Sequence, residues 1–421
     1  MEQIHRRFTT EQVRALLRGY LEKNLERREV EEILGIGKAR FFSLLREYRD
    51  DPEGFSMEYR RSSSARIPEL WEKGIADALL EEKELIDNPA LPITSYNYSA
   101  LKDRLAGQGI EVSLPTLIAR AKNLGCYKPR KAKKSHEREV VTAAVGSLIQ
   151  HDASHHLWSP YAPERWALLT SIDDFSRLLL YADFWGAESS WAHIRAAEDL
   201  TRKFGIPFRY YVDSLSVFRY VKTRDSVWRR HVALTDDVDP QRKKVMRVLG
   251  VEVVYALSPQ AKGKVERPYR WLQDRIVRTC AREKLSTMEE VRAVLKEEVD
   301  RYNNRQVHST TGEIPALRFK KAISEGNSLF GPFIVPKPYS LPKDVFCLRE
   351  TRMVNSYRKI EIHKHEILVP GVPLREEVDV HLIPNAKRGA MEIRIWWKDR
   401  MVKSIVYPLR EFPRGQVPER L

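Results

Sequence analysis

Apolar residues recur every three to four positions through roughly the first 125 residues and every second position after about residue 345. In the first stretch, Thr9 or Thr10 caps a helix EQVRALLRGYLE whose Val13, Leu16, Leu17, Tyr20 and Leu21 share one face. A short helix REVEEILG stops at Gly35, and Ile36-Gly37 turns into KARFFSLLREY, with Phe41, Leu44 and Leu45 inward. Helix, short helix, glycine turn and basic helix predict a helix-turn-helix module over 1–55. A linker with DDPEGF and RRSSSAR follows. A second all-α module, helix-turn-helix or winged-helix-like, is predicted over 66–127. Its first helix, 68–86, is broken by Asn88-Pro89 and Leu91-Pro92, and its second covers 95–106. Its third is capped by Ser113, with Pro115 in the first turn.

The middle of the chain mixes the two periods. Strands are predicted at 147–151, 166–172, 178–184, 208–212 and 251–255, and helices at 189–204, 243–249, 263–283 and 287–303. An initial hairpin followed by alternating helices and strands gives a mixed α/β domain over 144–325, with Trp191, Ile194 and Leu200 in its core. Beyond Gly331 a proline-rich run leads into RKIEIHKHEILV, EVDVHLI, MEIRIWWK and KSIVYPL. Their alternation predicts a small all-β barrel over 340–415. Arg349, Arg352, Arg358, Lys359 and Lys364 would form its basic face, and one of Trp396 and Trp397 would be core while the other is exposed.

Charge narrows the partner. A formal net charge of +15 and a pI near 9.5 favour a polyanion, most simply double-stranded DNA. The excess is local. The stretch KPRKAKKSHER opens a basic linker, 128–143, and holds six bases against one acid. Lys128, Arg130, Lys131, Lys133 and Lys134 would follow the phosphate backbone there, which makes binding salt-dependent. From Lys262 to Lys284 eight bases face three acids, and Lys262, Lys264, Arg267 and Arg270 are candidate contacts. On the last helix of each N-terminal module the candidates are Lys38, Arg40 and Arg46, then Ser113, Thr116, Arg120 and Lys122. The plain alternative for each module is a helical bundle with a solvated polar face. The three cysteines are too dispersed for a disulfide framework or a metal-ligand pair. The polar N-terminus and the lack of an 18-residue apolar run predict no signal peptide, no membrane span and a cytoplasmic, nucleoid-associated protein.

Carboxylates change the picture again. Asp152 lies in LIQHDAS, Asp213 ends the strand-like PFRYYVD, and Glu266 lies among bases in LSPQAKGKVERPYRWLQ. Alone, Glu266 reads as a solvated helix residue in a salt bridge. With two aspartates that follow strand-length runs, the set suits hard divalent cations, which take oxygen ligands. Two Mg2+ ions, or Mn2+ in substitution, stabilise the attacking and leaving oxygens of an in-line phosphoryl displacement. The rivals Asp225, Asp236, Asp237 and Asp239 follow no apolar run. His151, His155 and His156 crowd Asp152 but lack a partner pair at zinc spacing; His151 or His155 is placed near a substrate phosphate instead.

Four signatures occur in order: HDAS at 151–154, LLTSIDDFSRLLLYADF at 168–184, SPQAKGKVERPYRWLQ, and YNNRQVHSTTGEIPALRF at 302–319. Together they resemble the catalytic core of the retroviral-integrase superfamily, the DDE transposases of bacterial insertion sequences. The resemblance implies a ribonuclease-H-like core in which Asp152, Asp213 and Glu266 are catalytic metal ligands. It also implies DNA end cleavage and strand transfer on terminal inverted repeats and target DNA, by a homo-oligomer. Two features depart from the family. The separation from Asp213 to Glu266 is long, with an insertion placed at 221–242, and the second aspartate stands in an Asp213-Ser214-Leu215 context. A catalytically degenerate DNA-binding regulator or assembly factor, or a simple nuclease, are the other readings.

Overall fold

The computed structural model describes residues 4–57, 67–129, 142–213, 240–256 and 263–412, without the side chains of 5, 6, 213, 240, 255, 256 and 263–267. The chain divides into two compact units, Met1–Gly74 and Ile75–Leu421.

The first unit contains α1 (Ile4–Arg7), α2 (Thr10–Leu21), α3 (Arg27–Leu34) and α4 (Lys38–Asp50). Thr9 and Gln12 form a capping box at the start of α2. Gly35, at φ 64°, ends α3 in the left-handed region and permits the tight turn into α4. Val13, Leu17, Val30, Leu34, Phe41, Leu44 and Tyr48 make the core, closed below by Phe55. Helices α2, α3 and α4 stand where the apolar spacing placed them, and the short α1 adds to them.

The second unit is larger. A helix, α5 (Glu69–Asp87), enters it from Ile75 onward, followed by α6 (Tyr98–Gly107) and α7 (Leu114–Asn123). Then comes a five-stranded sheet ordered β3-β2-β1-β4-β5. Strands β1 (Ile149–His156), β2 (Trp166–Asp173) and β3 (Leu179–Trp185) form an antiparallel meander. Strands β4 (Arg209–Asp213) and β5 (Glu252–Ala256) run parallel to β1. This is the mixed α/β sheet the sequence predicts.

Helices cover both faces, because alternate strand residues are apolar on each side. On one face α8 (Ser190–Phe204) and α9 (Pro240–Val248) bury Trp191, Ile194, Leu200, Val245 and Met246 against Ile149, Leu180, Tyr210 and Val212. On the other, α10 (Gly263–Glu283) and α11 (Met288–Asn304) bury Tyr269, Leu272, Ile276, Val291 and Leu295 against Trp166, Leu168, Leu179 and Phe184. Ser189 and Thr287 cap α8 and α11. The helix α12 (Pro315–Ser324) follows.

Two of the four signatures turn out to be structural clamps. In the Asp-Asp-Phe-Ser-Arg turn, buried Asp173 accepts from the Gly146 N–H (2.8 Å), the Ser176 N–H (2.8 Å) and the Ser176 hydroxyl (2.6 Å). Asp174 accepts from Arg177 (2.8 Å) and Gln150 (2.5 Å). The tail signature grips the same region. Arg318 donates to the Phe175 carbonyl (3.0 Å), and the Asn303 amide pairs with both backbone groups of Leu179 at 2.9 Å.

The chain returns to the sheet through Gly205 and Gly331. Ile206 and Gly331 exchange two backbone hydrogen bonds of 2.8 Å. Gly205 has φ 103°, and a Cβ there would lie 2.4 Å from the Gly331 carbonyl oxygen. Gly205→Ala should therefore lower stability by about 3 kcal/mol, since steric conflict adds to backbone strain. Gly371→Ala, at φ 84° with open space around it, should cost only ~1 kcal/mol. Urea midpoints of the two variants test the difference, and equal shifts would refute it.

After a short helix α13 (Pro342–Val345), the C-terminal part has β6 (Leu348–Met353), β7 (Lys359–Ile362), β8 (His365–Leu368), β9 (Glu377–Asn385), β10 (Ala390–Trp397) and β11 (Arg400–Pro408). The predicted barrel is not closed. β11-β10-β9-β6 form an open antiparallel sheet, and β7-β8 pair only with each other. The physical reason lies at β6. Its edge meets α9, where the Gln241 side-chain amide accepts from the Arg349 N–H (2.6 Å) and donates to the Arg349 carbonyl (2.8 Å). The predicted basic face is also partly consumed. Arg349 bonds Tyr339 and the Asp344 carbonyl, Arg352 pairs with Glu350, and Lys359 pairs with Glu366. Trp396 is core and Trp397 half-buried.

His381 packs between Tyr339 and Trp396. Burial first, then Arg349 and Arg394, push its pKa down to about 3. The unfolded chain takes up that proton near pH 6.5, so stability is lost as pH falls from 6.5 towards 3, at up to about 1.4 kcal/mol per pH unit. Between pH 7 and 5, His381→Phe should lose roughly 2 kcal/mol less than the unaltered protein; identical losses would contradict this.

Candidate active site

The candidate site lies where β1 and β4 run side by side in the sheet. Asp152 is half-buried in β1, opposite Thr170 of β2. The parallel register of β1 and β4 pairs Ile149 with Tyr210 and Gln150 with Tyr211. This pairing ends two residues before Asp152 on β1 and Asp213 on β4. Asp213 is the last residue of β4.

Glu266 lies in the first turn of α10, one turn before Tyr269. Residues three apart on a helix share a face. Buried Tyr269 donates its phenol hydrogen to the Asp152 carbonyl at 2.5 Å. This bond ties the N-terminal end of α10 to the strand that carries Asp152. Burial, then the Asp152 carboxylate, raise the Tyr269 pKa well above its usual value, so the phenol stays a donor. Tyr269 thus joins the helix that carries Glu266 to the strand that carries Asp152, and Asp213 ends the strand beside it. The side chains of Asp213 and Glu266 lie outside the described residues, and among the described residues no three His, Cys, Asp or Glu side chains group as a metal site.

His151 stands elsewhere than expected. His151 is buried and, by strand alternation, faces α8, away from the α10 face. Its Nδ1 meets the Ser171 hydroxyl (2.8 Å) and its Nε2 meets His193 Nδ1 (2.7 Å). His193 Nε2 reaches Glu188 (3.0 Å), which also receives His155 (2.8 Å). Burial holds the His151 pKa well below its usual value, so it is neutral and is not placed against a substrate phosphate. Burial alone would raise the Glu188 pKa, but hydrogen bonds from His155 and His193 together lower it. The side-chain hydrogen bond to Glu188 raises His155. The chain Ser171–His151–His193–Glu188–His155 fixes β1 to β2 and α8 behind Asp152.

The basic candidates divide. Arg270 is exposed on α10, whereas Arg275 and Arg278, counted with the basic run from the sequence, point inward and are each 3% exposed. Lys38, Arg40 and Arg46 are exposed on α4, with Arg40 3.7 Å from Glu47. On α7, Ser113 is the cap. Its oxygen accepts from the Thr116 N–H (3.2 Å) and meets the Thr116 hydroxyl (2.7 Å). Arg120 is half-buried, Lys122 is exposed with its ammonium 5.0 Å from the Tyr127 ring centre, and Lys128 is exposed. Arg130, Lys131, Lys133, Lys134 and Lys262 lie outside the described residues, as do the side chains of Lys264 and Arg267.

Sequence reasoning missed Tyr269 and the Glu188–His193 pair. The aromatic after Glu266 belongs to the recognised signature, but its spacing alone gave no reason to set it against Asp152.

The cysteines Cys126, Cys280 and Cys347 are buried and free. Among the described residues no helix is long and apolar enough to cross a membrane.

No family model matches the chain. It is 28% identical over 287 residues to "Putative transposase y4bF" of Sinorhizobium fredii, covering 66% of this chain and 58% of that protein. It is 32% identical over 173 residues to "Transposase for insertion sequence IS1202" of Streptococcus pneumoniae, covering 41% of this chain and 36% of that one. The chain therefore spans about half or less of the curated relatives it matches. Among solved structures, a simian T-cell lymphotropic virus intasome in complex with a PP2A regulatory subunit matches with TM-score 0.32 and 13% identity, over 73% of this chain and 92% of that chain. The HTLV-2 integrase catalytic core domain in complex with magnesium matches with TM-score 0.30 and 13% identity, over 43% and 99%. Both structural likenesses are remote. In sequence, then, the chain is similar to two curated bacterial transposases, one of them the transposase of an insertion sequence.

Proposed function

We propose that this protein is a polynucleotidyl transferase that binds transposon ends, cuts DNA there and joins the freed ends to target DNA. The observation that carries this reading is the Tyr269–Asp152 bond of 2.5 Å, which brings the start of the Glu266 helix to the Asp152 strand. Asp152, Asp213 and Glu266 are the proposed metal ligands. Their donor set is all carboxylate, which fits a hard divalent cation and not a soft one. When bound, two Mg2+ ions, or Mn2+ ions in their place, supply Lewis acidity to an in-line phosphoryl displacement.

The chain's own residues do the rest. Exposed Arg270, one position beyond Tyr269, offers a cation to a phosphate close to Asp152. Lys38, Arg40 and Arg46 on α4, and Lys122 with the α7 N-terminus, hold flanking duplex DNA. The basic stretch from Lys128 adds salt-dependent phosphate contacts. Holding two ends together requires more than one copy of the chain, so the working form is a homo-oligomer on DNA.

The test is nicking of the DNA ends that flank the protein's own gene. Mg2+-dependent cuts at one defined position, lost with EDTA, are expected. Specific binding with no cut in Mg2+ or Mn2+ would favour the degenerate, DNA-binding reading.

A further inference from the structure

Two arginines of α10 are spent on the helical module. Arg275 bonds Asp103 of α6 (2.7 Å) and lies 3.5 Å from Glu298 of α11. Arg278 bonds Glu82 of α5 (2.7 Å), Asp274 one turn back (3.1 Å), and the Ser95 carbonyl. Asn97, which caps α6, also donates to Asp274. Beside these pairs, Leu91 and Ile93 bury against Val277 and Ala281 of α10. Glu82 is 4% exposed, so its charge is held almost without water. Buried pairs of this kind contribute little net stability over apolar packing, and in some proteins they serve to fix one geometry.

We propose that the segment from Ile75 through α7 is a rigid gauge. It sets the distance between the DNA bound by α7 and the phosphodiester presented to Asp152 and Glu266. Arg275 and Arg278 are its positioning residues. The helix that they clamp is the one whose first turn carries Glu266. At the other end, α7 packs on α6 and turns Ser113, Ala119 and Lys122 outward. A module fused in this way cannot swing relative to the active site. The cut would therefore fall at a fixed spacing from the bound sequence. This inference rests on the transposase reading and goes beyond it, since a tethered DNA-binding module would serve end recognition equally well.

The experiment maps both the footprint and the cut position on end DNA in Mg2+. Arg278 cut back alone strands Glu82, so the main variant removes both charges, Glu82→Met with Arg278→Met. A milder one is Asp103→Asn, which leaves Arg275 its contact with Glu298. In both, the footprint and the concentration for half-binding should stay within about twofold of the unaltered protein. The single cut should spread over several neighbouring phosphodiesters, and turnover should fall about tenfold. Arg278→Lys, which keeps a cation facing Glu82, should retain most of the single cut. If both charge-removal variants cut only at the original position, whatever their rate, the gauge is wrong and the pairs serve folding alone. If the unaltered protein binds but never cuts, the transposase reading falls, and the gauge with it.

Discussion

Asp152→Asn is expected to reduce DNA cutting at least ~1000-fold, a loss of about 4 kcal/mol in transition-state stabilisation. The substitution keeps the size of the side chain and the backbone carbonyl that accepts from Tyr269 at 2.5 Å. It removes only the anionic oxygen. End binding should stay within about twofold, because Arg270 is left in place and the other proposed DNA contacts lie on α4, α7 and the basic stretch from Lys128. Glu266→Gln and Asp213→Asn should behave alike, since ligands that act as one site fail together. Asn at Asp225, Asp236, Asp237 or Asp239 should leave cutting unchanged. Gel-shift and nicking assays on the same preparations separate the two effects. Full cutting by Asp152→Asn would remove this residue from the site.

Arg278→Met should cost about 3–5 kcal/mol of stability, the penalty for leaving a buried charge without its partner. The stranded group is Glu82, which receives Arg278 Nη1 at 2.7 Å. At ~2 °C per kcal/mol, thermal unfolding of the protein should fall by roughly 6–10 °C. Removing Glu82 as well should recover most of that loss. The apolar contacts of Leu91 and Ile93 with Val277 and Ala281 remain, and no isolated charge is left. A single variant within 1 kcal/mol of the unaltered protein would show that water reaches Glu82.

Local elements were legible in the sequence because local rules form them. The helix at Gly263–Glu283 was read with those bounds, and Ser189 and Thr287 cap the helices that begin beside them. The five strands of the mixed sheet appear in their predicted order, although β1 runs on to His156. That extension was invisible because HDASHH is polar. It is a strand because β2 pairs with every residue of it.

What the sequence hid depends on distant partners. Arg275 and Arg278 look like part of a DNA-facing stripe until Asp103 and Glu82, far earlier in the chain, fold onto them. His151 looks like a neighbour of the chemistry because it adjoins Asp152, but a strand sends consecutive side chains to opposite faces. The open C-terminal sheet has the same kind of cause. Alternation predicts strands, but it was Gln241, more than a hundred residues upstream, that met the edge of β6. For the candidate site, the motifs named the carboxylates, and the structure added the bond that joins two of their elements.

The most direct measurement of the central claim is joining. Purified protein, DNA ends from the flanks of its own gene, a supercoiled plasmid and Mg2+ are mixed, beside the Asp152→Asn variant. The account predicts end DNA covalently joined to plasmid, absent from the variant and from a reaction with EDTA. Ends that are hydrolysed but never joined, or plasmid joined equally by the variant, would contradict it.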